Sequence, residues 1–192
     1  MSGNPFHNRQ LVELLFAFLT LETLLRRSLI VLLVGGMMAA CSDNTPGSQY
    51  PGLVDDVTEI RVFKSSRTMI LYNGEREMQR YNVALGFDPK GHKKSQGDGK
   101  TPSGRYSIDR KNPYSRFHLS LGISYPNEWD RKQARQRGVS PGGDIMIHGQ
   151  PNRLKRGTMA GDWTEGCIAV SNSEIKEIYA SVEVGTPITI YE

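Results

Sequence analysis

Cys167 and His148 are the residues of this chain whose types and surroundings suit covalent chemistry. A thiol attacks a carbonyl as its thiolate, and an imidazole beside it can take the proton and later hand it to a leaving amine. Ile145-Met146-Ile147 reads as a short buried strand ending on His148, and Gly149 lets the chain turn at once. Gly166 precedes Cys167, and the apolar Ile168 and Val170 follow, so the thiol stands at the mouth of a second strand. A glycine there permits a tight turn in which the N–H groups of Gly166 and Cys167 point at one developing oxyanion. The pairing is expected to depress the thiol pKa and raise its reactivity near neutrality.

The elements that must position this pair are mainly strands. Ile60, Val62 and the run at 69–72 suggest two strands, and Asn73-Gly74 reads as a two-residue hairpin turn into a third at 75–84. Residues 86–99 form a polar loop with Lys90, His92, Lys93 and Lys94, either a solvated basic loop or a cleft wall that meets substrate carboxylates. Thr101-Pro102-Ser103-Gly104 is turn chemistry leading into a strand at 105–108. Phe117, Leu119, Leu121 and Ile123 alternate as a half-buried strand with His118 on its polar face, and 127–138 reads as a short charged helix lying on the surface. Ser171-x-x-Glu174 is a capping box, with Ile175, Ile178, Tyr179 and Val182 at helical spacing behind it. Gly185-Thr186-Pro187 then turns into a last strand at 188–191. Few helices, short strands and frequent Gly/Pro turns predict a mainly β domain, a sandwich or open barrel.

Composition narrows the rest. The chain has 192 residues and a net charge of +4, enough for one domain plus an N-terminal appendage. The basic residues form no stripe interleaved with aromatics, which argues against nucleic acid, and the four histidines are too scattered for a metal ligand set. Neither a metal nor another cofactor is expected. Residues 29–40 form an apolar run behind Arg26-Arg27 and ahead of Cys41, short of the roughly twenty residues a membrane span needs. Residues 1–41 therefore read as a secretory leader ending in a lipobox-like Met38-Ala39-Ala40-Cys41, with Cys41 lipidated and Ser42 directing the product to the outer membrane of a diderm cell. The expected location is periplasmic, with the membrane reached through the lipid. Residues 42–57, rich in Ser, Pro, Gly and Asp, read as a flexible tether, and 58–192 as the folded, monomeric domain. Cys167 is then the one thiol of an exported domain, without a disulfide partner.

His148-Gly149 followed by Thr164-x-Gly166-Cys167-Ile168, with Gly97-Asp98-Gly99-Lys100-Thr101-Pro102-Ser103-Gly104-Arg105-Tyr106 upstream, resembles the L,D-transpeptidase catalytic domain (YkuD-like) family in motif and in order. The resemblance runs over about 58–192 and implies a sandwich of two mixed sheets with a short helix after the nucleophile strand. It implies a cysteine-dependent transpeptidase acting on peptidoglycan stem peptides through a thioester. Cys167 would be the nucleophile, His148 the base, the Gly149 carbonyl the group orienting the imidazole, and Gly166 part of the oxyanion hole. Trp163, Thr164, Glu165 and Lys93 are candidates for substrate binding. Many members carry His before the Gly-Cys and Arg two residues after the Cys, where this chain has Glu165 and Ala169. Arg153, Lys155 and Arg156, on the loop between base and nucleophile, are candidates to replace that cation. Same-site hydrolysis, and a wall-binding lipoprotein with an inactive site, are the alternative readings.

Overall fold

A computed structural model describes Leu53 and residues 55–192. The leader, Cys41 and most of the expected tether lie outside the described residues. Ten elements follow in the order β1 (Glu59–Phe63), β2 (Thr68–Asn73), β3 (Arg76–Asn82), β4 (Gly104–Asn112), β5 (Ser120–Ile123), α1 (Glu128–Gln136), β6 (Met146–His148), β7 (Ile168–Ala169), α2 (Asn172–Ser181) and β8 (Pro187–Tyr191).

The strands form one continuous sheet in the order β3-β2-β1-β8-β4-β5-β6-β7. It is mixed: β1 runs parallel to β8 and β6 parallel to β7, while the other pairs are antiparallel. The two sheets implied by the resemblance are thus two halves of one sheet that share β4. Residues 104–107 of that strand pair with β8, and Ile108 and residues 110–112 pair with β5 across an irregularity in register. A bulge adds twist where it falls, so the sheet can turn over on itself at β4.

Period-two patterning decides which face is buried. On β1, Ile60 and Val62 are fully buried between half-exposed neighbours, and they join Leu71, Ile108, Leu121, Ile147, Ile168 and Ile188 in one core. Helix α2 closes that core with Ile175 and Ile178, both fully buried. Each contributes about 1.5–3 kcal/mol by leaving water. The capping box expected at Ser171 is present: the Ser171 Oγ accepts from the Glu174 N–H, and the Glu174 carboxylate from the Ser171 N–H.

Several expectations shift in detail. The β2–β3 turn is Gly74-Glu75 rather than Asn73-Gly74, since Asn73 still pairs with Arg76 and Gly74 takes a φ of +58°. Val57 belongs to the core and Leu53 packs against it while donating its N–H to Ser181 Oγ at 2.7 Å, so the folded unit begins before Thr58. The strand expected from Phe117 onward begins at Ser120, because His118 adopts a φ of +70° and breaks the extended run. Helix α1 is held more deeply than a surface helix would be: Asp130 and Ala134 are buried, and Asp130 accepts from the Tyr106 hydroxyl at 3.1 Å.

Candidate active site

Register places the reactive pair on one face. Ile147 pairs with Ile168 and Leu121 with Ile147, and all three point into the core. Their neighbours therefore point the other way: Ser120 and Gly122 on β5, Met146 and His148 on β6, and Ala169 on β7. Cys167, two residues before Ala169, returns to this face. One strand over and two residues along puts its Cα roughly 8 Å from that of His148, a span a thiol and an imidazole can close. Ser120 and Ala169 are buried on this face, and a side chain at Gly122 would strike the Asp109 carboxylate at 2.3 Å, so the residues around the pair are small because the face is covered.

Local chemistry holds each member in place. His148 is buried, and its Nδ1 lies 2.7 Å from the Gly149 carbonyl oxygen. A carbonyl only accepts, so Nδ1 carries the hydrogen and Nε2 keeps its lone pair for use as a base. The Gly149 carbonyl is the acceptor that fixes this tautomer. A side chain at Gly149 would strike the Asn172 Oδ1 at 2.6 Å and the Phe117 carbonyl oxygen at 3.0 Å, which is why glycine stands there. Phe117 lies over the imidazole, tilted by 31°, at 4.5 Å between ring centres, and Trp163 meets it edge-on at 5.7 Å. Burial holds the imidazole below its ordinary pKa, opposed by the hydrogen bond to Gly149.

The nucleophile sits on a loop that is tied to itself. Thr164 is buried; its hydroxyl donates to the Cys167 carbonyl at 2.7 Å and accepts the Gly166 N–H at 3.2 Å. Gly166 has a φ of +132°, and a Cβ on it would lie 2.7 Å from the Lys100 carbonyl oxygen. Cys167 Sγ accepts the Met146 N–H at 3.4 Å and lies 3.5 Å from the Asp144 carbonyl; the imidazole is not among its hydrogen-bond partners. Burial pushes the thiol up to about 11; the Met146 N–H and the Lys93 ammonium oppose this, and the Asp144 and Glu165 carboxylates add to it. This corrects the expectation of a depressed thiol pKa. At neutral pH the resting pair is thiol and neutral imidazole.

Other expected site residues are placed as follows. The Gly166 N–H, expected to face an oxyanion, donates to the Thr164 hydroxyl, and the Thr164 side chain, expected at the substrate, is engaged within its own loop. Lys93 is also turned inward: it is 3% exposed and donates to Asp98 at 2.8 Å and to the Ser95 carbonyl at 3.2 Å. The Asp98 carboxylate is pushed up by burial, yet the Lys93 ammonium and the N–H groups of Lys94, Ser95 and Lys100 outweigh this and hold it at about 2. Glu165 is exposed beside the thiol, and Trp163 borders the imidazole with its indole N–H buried and without an acceptor. Arg153, Lys155 and Arg156 are all exposed. A groove of about 530 Å³ runs past Ala169, and the guanidinium lining it belongs to Arg67, opposite Asp162. Nothing in the local sequence marked Arg67, because its partner lies 95 residues away. Among the described residues, no group of three or more His, Cys, Asp or Glu side chains is placed to hold a metal ion.

Comparison with known proteins agrees with this geometry. The YkuD L,D-transpeptidase catalytic domain matches residues 58–190. The Escherichia coli protein YafK, assigned by name to the L,D-transpeptidases, is 31% identical over 155 residues, which cover 77% of this chain and 56% of YafK. Among solved structures, the helical cell shape determining protein Pgp2 of Campylobacter jejuni superposes with a TM-score of 0.57 at 26% identity, over 76% of this chain and 51% of Pgp2. Bd1075 of Bdellovibrio bacteriovorus gives a TM-score of 0.50 at 25% identity, over 73% of this chain and 52% of its own. The chain therefore spans about half the length of the relatives it matches. With Cys167 and His148 on one face of the sheet, and the family match covering most of the chain, the protein belongs to the L,D-transpeptidase catalytic domain family.

Proposed function

We propose that this chain is a cysteine-dependent acyltransferase that opens a peptide bond in a peptidoglycan stem and passes the acyl group to an amine. The observation that carries this reading is the His148 tautomer: with Nδ1–H held by the Gly149 carbonyl, Nε2 is left as a base on the face that also bears Cys167. His148 Nε2 takes the thiol proton as Sγ attacks the stem carbonyl. The Cys167 N–H is the nearby backbone donor for the oxyanion, and the imidazolium gives its proton to the leaving D-alanine amine as the C–N bond breaks. An incoming amine then attacks the thioester, loses its proton to Nε2, and the thiol departs. A resting pair of thiol and imidazole fits a base that acts when substrate arrives rather than a preformed thiolate.

Cys167 is only partly covered, which favours a second outcome from the same intermediate, since water reaching it would hydrolyse the thioester and trim the stem. A defined tetrapeptide stem incubated with and without an acceptor amine distinguishes the two. Transpeptidation predicts an amine-linked product that grows with acceptor concentration, whereas release of the shortened stem at a rate independent of acceptor would establish the hydrolase. The likeness to a cell-shape protein supports a role in remodelling the wall. A periplasmic location, with Cys41 lipidated and the domain acting as a monomer at the outer membrane, completes the proposal. Labelling with a fatty acid in cells checks the anchor: wild type should carry label that Cys41→Ala lacks, and an unlabelled wild type would contradict it.

A further inference from the structure

Arg67 lies in the turn between β1 and β2, far in sequence from the reactive residues, yet it reaches the loop that carries them. Its Nη2 and Nε donate to the Asp162 carboxylate at 2.7 and 3.0 Å, a two-pronged pairing that only a guanidinium can make. Its Nη1 donates to the Lys64 carbonyl at 2.5 Å, so the side chain is anchored at both ends. The backbone is committed as well: Arg67 has a φ of +52°, a region few non-glycine residues occupy, and its carbonyl accepts the Val83 N–H at 2.9 Å. Asp162 accepts a further hydrogen bond at 2.9 Å from the Leu85 N–H. The carboxylate is therefore gripped by the β1–β2 turn and by the segment after β3 together. The next residue along is Trp163, whose ring edge rests against the His148 imidazole and, at 6.0 Å, near the Phe117 ring.

We infer that Arg67 is a positioning residue for the catalytic base, fixing Asp162 so that Trp163 closes the aromatic enclosure around His148. The inference rests on the reading of His148 and Cys167 as the reacting pair. Its physical content is the hydration of the imidazole. With Trp163 held, one side of His148 is covered by indole and another by Phe117, and the ring is dry. With Asp162 released, Trp163 is free to swing and water reaches the ring, which favours the charged form. The titratable groups on the segments packed around His148 are Asp162, Glu165 and Cys167 on the nucleophile loop, Tyr114, Arg116 and His118 on the segment before β5, and Glu174, Lys176 and Glu177 on α2, whose first turn lies against Gly149. The Asp162 charge is neutralised by Arg67 itself.

The test is Arg67→Lys, which keeps the charge but not the two-pronged geometry, alongside Asp162→Asn and the double variant. The His148 Cε1 proton is followed by NMR across pH and assigned with His148→Gln. In both single variants the imidazole should titrate at a pH higher than in wild type by about half a unit or more. The acid limb of kcat/KM on a tetrapeptide stem should move up with it, with kcat lowered about ten-fold and KM within about two-fold. The double variant should match the singles, since both residues act through one contact. An unchanged His148 titration in folded Arg67→Lys, or effects of the two substitutions that multiply, would overturn the inference. Wild-type inactivity on the stem would instead count against the substrate reading, and the NMR titration would still decide the role of Arg67.

Discussion

At the scale of single residues, the Cys167 thiol is not activated in advance. Cys167 is held up at about 11 and His148 below its ordinary value, so the thiolate fraction at neutral pH is small. The rate of Cys167 alkylation by iodoacetamide in the free enzyme should then climb through the alkaline range with a midpoint near 11. A rate that levels off below about pH 8 would mean a preformed thiolate. The candidates for nucleophile and base were legible from residue type and flanking glycine, and the structure places both on one face of the sheet. The state of charge was not legible: it depends first on how deeply the sulfur is buried, with the Met146 N–H only partly opposing that, and neither can be read from a motif. Thr164 and Lys93 show the same limit. Their types suit a ligand, but the partners that use them up lie within their own loops.

At the scale of elements, the site depends on loops pressed against one another with no spare volume. Gly166→Ala combines a disfavoured φ with a contact on the Lys100 carbonyl, and Gly149→Ala drives a methyl into the start of α2. Each should cost about 1–3 kcal/mol in thermal or denaturant unfolding. Activity should fall further than stability explains, since both glycines adjoin the reacting groups; full activity in folded Gly166→Ala would contradict the geometry of the loop. The loop at 93–100 adds a pH-dependent component. The folded-state pKa of Asp98, about 2 against an ordinary 3.8, is depressed, so its stabilisation is complete above the ordinary value and is lost as pH falls toward 2. Asp98→Asn should remove about 2 kcal/mol at neutral pH. It should also flatten the decline in Tm between about pH 4 and 2, whereas a curve parallel to wild type would show that Lys93–Asp98 does not supply it. The Ser171 capping box, the β2–β3 hairpin and the final strand were readable because local propensity and tertiary structure agree there. The region around His118 was not, because alternation continues through Phe117 while the backbone turns to lay that ring over His148 and to place its carbonyl on the Gly149 N–H.

At the scale of the whole described domain, one curled sheet puts a core on one face and the reacting groups on the other. Strand β4 couples its halves, and Arg67 ties the β1–β2 turn to the nucleophile loop across 95 residues of sequence. The mainly β class follows from turn density and patterning, but the strand order does not: it is set by long-range pairings such as β1 with β8. For the same reason Arg67, and not the cations nearer in sequence at 153–156, turned out to line the groove past Ala169. The central claim is that Cys167 forms the acyl-enzyme with His148 as its base. The most direct test is intact-mass analysis of the domain mixed with a defined tetrapeptide stem and quenched in acid, followed by peptide mapping. The account predicts a thioester on Cys167 in wild type, none in Cys167→Ser, and formation slowed by about a hundred-fold or more in His148→Gln at neutral pH. An adduct on any other residue, or wild-type rates of acylation in His148→Gln, would contradict it.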